Sequence, residues 1–210
     1  MKKLIIFDLD NTLYDYDKIN DKCYKIVIDN IIEKTCKSRE IINNVIEQAK
    51  LKLKRKLGNT ASSHSRILYF QNICEELNLE LSFALYLNEI YWNNFYKLLK
   101  PYHGVKYFFN YLKENNIKIG ILTNFTAEHQ YKKLKHLELL DYINCLVTSE
   151  EVGIEKPNED MFNTIIKKTK FKTNDILMIG DSFDNDIIGS IQSNIYSGYL
   201  NKSNSIGSCL

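Results

Sequence analysis

The chain of 210 residues is poor in backbone punctuation, with two prolines and eight glycines. Asn, Lys and Ile are used heavily instead, a bias assigned to the base composition of the coding sequence before any function. An excess of charge of either sign is also missing: 28 Lys and Arg stand against 26 Asp and Glu, a formal net charge of +2, with the lysines interleaved among acids. That leaves neither a nucleic-acid-binding face nor a polybasic membrane anchor. No segment approaches the ~20 apolar residues of a membrane helix. The opening MKKLIIFDLD has a charged start, but Asp8 ends its apolar run after four residues, which makes it a strand and not a targeting signal. The cysteines, Cys23, Cys36, Cys74, Cys145 and Cys209, form no C-x-x-C pair and have no histidine at zinc-ligand spacing. They fit a reducing, cytoplasmic setting. Oligomeric state is not readable.

What is present is a globular composition, 44% hydrophobic and 26% charged, long enough for a sizeable core or for one domain with a large insertion. Its periodicity divides the chain in three. Lys3 to Phe7 is a short apolar run ending at acids, as in a buried parallel strand. From Tyr16 to about Leu99 the apolar residues recur at helical spacing in YKIVIDNIIEK, REIINNVIEQAKLKLKRKL, SRILYFQNICEEL and FALYLNEIYWNNFYKLL, a four-helix block. Its one loop rich in small polar residues is LGNTASSHS. After KPYHGV, helical and strand patterns alternate: VKYFFNYLKENN, IKIGILTN, EHQYKKLKHLEL, NCLVTSE, EDMFNTIIKKT, DILMIGD, DNDIIGSIQSN and IYSGYL. Such alternation predicts an α/β fold with a doubly wound, parallel, Rossmann-like sheet. The first strand needs neighbours among these later strands, so the core is split. The expected division is a core domain over residues 1–15 and 100–210, with an inserted four-helix cap domain over 16–99.

In an open parallel sheet the ligand lies outside the carboxyl ends of the strands. The strand ends predicted here carry Asp8-Leu9-Asp10-Asn11-Thr12, Thr123-Asn124, Thr148-Ser149-Glu150 with Lys156 in the loop beyond, and Gly180-Asp181-Ser182 with Asp184 and Asp186 close behind. Converging carboxylates require a cation, and hard oxygen ligands point to Mg2+. One lysine with hydroxyl, amide and loop N–H donors points to an anion, most simply phosphate. Taken singly, an Asp at a strand end more often caps the next helix.

Four stretches, DLDNT at Asp8–Thr12, LTN at Leu122–Asn124, KP at Lys156–Pro157 and GDSFDND at Gly180–Asp186, together resemble the ordered motifs of the haloacid dehalogenase-like hydrolase superfamily. The resemblance spans Lys3 to about Leu200. It implies that Asp8 is a nucleophile forming an aspartyl-phosphate and that Asp10 is the general acid/base. It implies further that Thr123, Asn124 and Lys156 hold the phosphate, and that Asp8, Asp181 and the backbone carbonyl of Asp10 bind Mg2+. Asp186 is a supporting carboxylate of the metal shell or of Lys156, and Thr12 a hydroxyl that fixes the turn. The dehalogenase branch usually lacks an acid two residues after the nucleophile. Asp10 therefore favours a phosphatase of the helical-cap type acting on a small-molecule phosphate monoester. A phosphosugar mutase, a 2-haloacid dehalogenase and a non-catalytic binding module are the alternatives.

Substrate choice falls to the cap. Its loop from Gly58 to Arg66 offers small residues for close approach, and His64 and Arg66 are candidate donors to a polar or anionic substrate tail. The competing reading is a plain interhelix turn, with Ser63 or Ser65 capping a helix from near Ile67 and Arg66 solvated. The aromatic helix around Trp92 is expected to be cap core rather than a stacking platform.

Overall fold

A computed structural model describes residues 2–201. The expected core boundary at 210, and Cys209 with it, lies outside these residues. The first strand, β1 (Leu4–Phe7), is buried along its whole length, and a strand apolar on both faces belongs at the centre of a parallel sheet. It pairs in parallel with β2 (Lys118–Thr123) through Ile5 opposite Ile119, and with β4 (Ile176–Gly180) through Ile5 opposite Leu177. With β3 (Cys145–Thr148) beyond β2 and β5 (Tyr196–Tyr199) beyond β4, the order is β3-β2-β1-β4-β5. Alternation along β1 sends Leu4 and Ile6 into a cluster with Met161, Phe162 and Ile165 of one helix layer. Ile5 and Phe7 face the opposite layer, around Phe109 and Leu112.

Between β1 and β2 the chain forms α1 (Tyr16–Thr35), α2 (Arg39–Leu57), α3 (Arg66–Glu76) and α4 (Leu81–Leu98) before α5 (Val105–Glu114) returns to the sheet. Local chemistry sets their starts. The Asp15 carboxylate accepts from Lys18 N–H at the head of α1, and the Ser38 hydroxyl from Ile41 N–H at the head of α2. Gly58, at φ +64°, ends α2. The apolar interior of these helices, around Phe70, Tyr91 and Phe95, runs without a break into the Ile5–Phe7 face of the sheet through Leu9, Leu13 and Tyr14.

Two local expectations are corrected. The loop after α2 contains a 3₁₀ turn, Ala61–His64, and α3 begins at Arg66 itself, with no side-chain cap bond from Ser65. Arg66 is 6% exposed, not solvated. The guanidinium is held inside by acceptors of α1 and α4: the Tyr16 hydroxyl, Asn20 Oδ1 and the Tyr91 hydroxyl. After β4 the expected α-helix instead opens as a π-helical turn, Phe183–Ile188, before α9 (Gly189–Gln192). Asp186 causes this by closing the turn onto Ser182, whose backbone N–H its carboxylate accepts at 3.1 Å.

The remaining helices are α6 (Ala127–His136), α7 (Ser149–Val152) and α8 (Glu159–Thr169). Among the described residues no helix is long and apolar enough to cross a membrane.

Candidate active site

Asp8 is the first residue past β1, and its N–H donates to the Ile179 carbonyl, which continues the ladder one step beyond the strand. Its carboxylate is therefore held at the carboxyl edge. Lys156 reaches it from the α7–α8 loop: Nζ donates to Asp8 Oδ1 at 2.7 Å, to Asp186 Oδ1 at 2.6 Å and to the Leu122 carbonyl at 2.9 Å. Three acceptors use all three ammonium donors. The Lys156 N–H is in turn fixed by Asn124 Oδ1 at 2.9 Å. Thr12 Oγ1 lies 3.1 Å from Asp8 Oδ2 and 3.3 Å from Asp181 Oδ1. Gln130, fully buried in α6, donates to Thr123 Oγ1 at 2.6 Å and to the Asn124 carbonyl at 2.9 Å. Thus Asp8, Thr12, Thr123, Asn124, Lys156, Asp181 and Asp186 all meet at one edge of the sheet.

Ligand oxygens of Asp8, Asp181 and Asp186 lie within 4.8 Å of one another. Burial pushes the Asp8 carboxyl up; Lys156 opposes that rise, and the charges of Asp186 and Asp10 add to it. Three acids facing one ammonium leave an uncompensated negative charge, and the donors are all hard oxygens. That set fits a divalent magnesium ion. Asp186 commits one oxygen to Lys156 and the other to Ser182 N–H. Asp8 and Asp181 are therefore the carboxylates that would hold the ion, while Asp186 orients the lysine.

Asp10 points away from that cluster. Lys133, on α6, donates to both of its oxygens at 2.8 Å, and the Tyr14 hydroxyl donates to Oδ1. Lys133 is 1% exposed, flanked by the rings of Phe125 at 5.2 Å, Tyr16 at 5.4 Å and Phe95 at 5.6 Å. Burial lowers its pKa, against the pull of Asp10. Lys133 was not singled out from the sequence. Its helix reads as an amphipathic, lysine-rich surface segment, and only the approach of the four-helix block covers this one lysine. Phe125 is a second addition. It holds φ at +108°, with its N–H donating to Ser149 Oγ at 2.8 Å, a strained backbone directly after the Thr123-Asn124 pair.

Beyond Asp10 a cavity of about 190 Å³ opens between the two layers, walled by Tyr16, Arg66, Trp92, Phe125 and Lys133. Asp10 and Asn124 line both this cavity and the acid-rich pocket. Trp92 thus does more than fill the helical block: it walls the cavity and stacks at 3.7 Å on His129 of α6. The Arg66 guanidinium donates to the His64 carbonyl at 2.6 Å, to Asn20 Oδ1 and the Tyr91 hydroxyl at 3.4 Å, and to the Tyr16 hydroxyl. His64 also edges the cavity, but its Nε2 lies 2.8 Å from Glu155 Oε1, beside Lys54 at 3.2 Å from Oε2. These contacts tie the helical block to the loop that carries Lys156.

The chain is similar, at 32% identity over 90% of its length and 81% of the relative's, to a ribulose-1,5-bisphosphate 5-phosphatase of Halopiger xanaduensis. It is 29% identical to the pyrimidine 5'-nucleotidase YjjG of Escherichia coli, over 94% of this chain and 85% of that one. Its fold matches the HAD-hydrolase YfnB of Bacillus subtilis, a structure with bound magnesium, at a TM-score of 0.74 and 20% identity, covering 98% of this chain and 91% of that one. The profile of the haloacid dehalogenase-like hydrolases runs from residue 5 to residue 198, and with the loops of Asp8, Lys156 and Asp181 assembled at one edge of the sheet, the chain belongs to that family.

Proposed function

We propose that this protein is a Mg2+-dependent phosphatase that hydrolyses a small-molecule phosphate monoester, with residues 100–201 and the β1 segment as its core and residues 16–99 as a cap. The observation that carries the reading is the position of Asp10. Its carboxylate stands between a pocket built for a phosphoryl group and a cavity able to hold the rest of an ester, which is where a leaving oxygen must be protonated. A halide needs no such proton, so the dehalogenase alternative leaves Asp10 without a task. The relatives named as a bisphosphate phosphatase and a nucleotidase support the same reaction type.

In this reading Asp8 attacks phosphorus in line and forms an aspartyl-phosphate. Lys156, 2.7 Å from Asp8, offsets charge on the nucleophile and on the phosphoryl oxygens. Thr123 and Asn124, locked by Gln130, donate to the same oxygens. Asp10 delivers a proton to the leaving alkoxide and then takes one from the water that cleaves the intermediate. Magnesium held by Asp8 and Asp181 would supply electrostatic stabilisation of the phosphoryl charge; the structure of the B. subtilis hydrolase of the same fold holds magnesium.

The test is turnover of p-nitrophenyl phosphate. Activity is expected with Mg2+, to vanish in EDTA, to return with Mg2+ but poorly with Ca2+, and to be absent in Asp8→Asn with no phosphoenzyme trapped. Undiminished turnover after exhaustive chelation, or in Asp8→Asn, overturns the assignment.

A further inference from the structure

Resting on the phosphatase reading, we propose that the cavity beside Asp10 selects a short leaving group that itself carries an anion, a carboxylate or a second phosphate, with Arg66 as its receptor. The cavity sits on the leaving-group side because it shares Asp10 and Asn124 with the phosphoryl pocket. The two pockets carry opposite charge imbalances. The phosphoryl pocket sets Asp8, Asp181 and Asp186, with the shared Asp10 at its border, against Lys156, a deficit that a divalent cation fills. The cavity sets Arg66 and Lys133 against Asp10 alone.

Lys133 takes both oxygens of Asp10, and Glu155 is engaged by Lys54 and His64. Arg66 is left with neutral acceptors only, two tyrosine hydroxyls, one amide and one carbonyl. Among the described residues no carboxylate pairs with it, and its buried Nε has no hydrogen-bond partner. The rings of Tyr91 at 5.3 Å and Phe125 at 5.6 Å hold the guanidinium plane and offset part of the charge. A buried cation without a counter-ion is costly, and a strut with no ligand to meet is better matched by a carboxylate or replaced by an apolar side chain. An anionic substrate group supplies the missing partner.

Size narrows the class. A cavity of about 150 Å³ is known to accept benzene, so about 190 Å³ suits roughly six to eight non-hydrogen atoms. That matches a chain of three to five carbons and is too small for a nucleoside in this arrangement.

Matched substrates test the proposal in the full-length, Mg2+-loaded protein. 3-Phosphoglycerate is compared with glycerol 3-phosphate, and propane-1,3-diol bisphosphate with propyl phosphate; the first pair reads a carboxylate, the second a phosphate. At least one anionic partner is expected to lead by tenfold or more in kcat/KM, chiefly through KM. In Arg66→Met that ratio falls toward one, while Arg66→Lys keeps part of it. Circular dichroism checks that each variant is folded; where Arg66→Met is not, the wild-type ratio and Arg66→Lys decide. Calorimetry with glycerate against glycerol, the released alcohols, reads the same preference without turnover. Turnover of p-nitrophenyl phosphate with wild-type ratios near one in both pairs overturns the proposal and leaves the phosphatase reading standing. No turnover of any ester fails the phosphatase reading instead, and glycerate binding no better than glycerol then overturns the receptor as well. A preference that survives unchanged in both Arg66 variants removes Arg66 from the role.

Discussion

Replacing Lys133 by Met tests whether Asp10 acts from the position in which it is held. The substitution keeps the length and apolar stem of the side chain among Tyr16, Phe95 and Phe125 but removes two charge-assisted hydrogen bonds to Asp10, each 2.8 Å long. Bonds of that kind contribute about 1.5–3 kcal/mol each, and breaking a fully buried pair costs about 3–5 kcal/mol. The pair here is only half sealed: the Asp10 side chain is 27% exposed, so water replaces part of the loss, and the Tyr14 hydroxyl remains. Relief of the Lys133 desolvation offsets more. The expected destabilisation is about 2 kcal/mol, a fall in Tm of about 4–8 °C for a chain of this length, read by thermal denaturation. Activity should fall much further, because a released Asp10 no longer sits at the leaving oxygen. General acid catalysis contributes roughly 10²–10⁴-fold, so the loss in kcat is about 10²-fold for an alkyl phosphate, whose alkoxide needs the proton. It should be far smaller for p-nitrophenyl phosphate, whose leaving group does not. Equal loss on both esters refutes the reasoning and assigns Lys133 to folding or to the phosphoryl site.

Two further outcomes are expected. A Cβ at Gly180 meets Asp186 Oδ2 at 2.2 Å, so Gly180→Ala must displace the carboxylate that orients Lys156; a loss of about 1–3 kcal/mol in urea denaturation is expected together with reduced turnover, and a wild-type midpoint with full activity contradicts it. His129, half-buried against Trp92 and repelled by Lys133, has its pKa lowered to about 4. The unfolded chain, with His near 6.5, therefore binds the extra proton between pH 6.5 and about 4, so stability is full above pH 6.5 and declines as pH falls through that window. His129→Phe should flatten this decline, measured as urea midpoints from pH 7.5 to 4.5; identical slopes in both proteins refute it.

The sequence by itself determined the sheet and its chemistry-bearing edge. A run such as Leu4–Phe7, apolar on both faces, has no stable place except inside a parallel sheet, and whatever follows it is delivered to the carboxyl edge. Asp8, Thr123, Asn124 and Asp181 could be named for that reason, since each lies at or next to a strand end and the strand fixes its position; Lys156, in the loop beyond β3 and α7, was named from the KP motif. The helical block was likewise readable, because period and start signals are local. Only the tertiary structure decided how that block meets the sheet. Lys133 and Arg66 are cations on amphipathic helices, and nothing local separates a solvated one from one buried under a neighbouring layer. Lys133 is enclosed because Phe95 and Tyr16 of the helical block close over α6, and Arg66 because Tyr16, Asn20 and Tyr91 of α1 and α4 hold its guanidinium inside. Burial by a side chain on another element is a property of packing, to which sequence period carries no signal, and the cavity these side chains wall exists only where the two layers face each other.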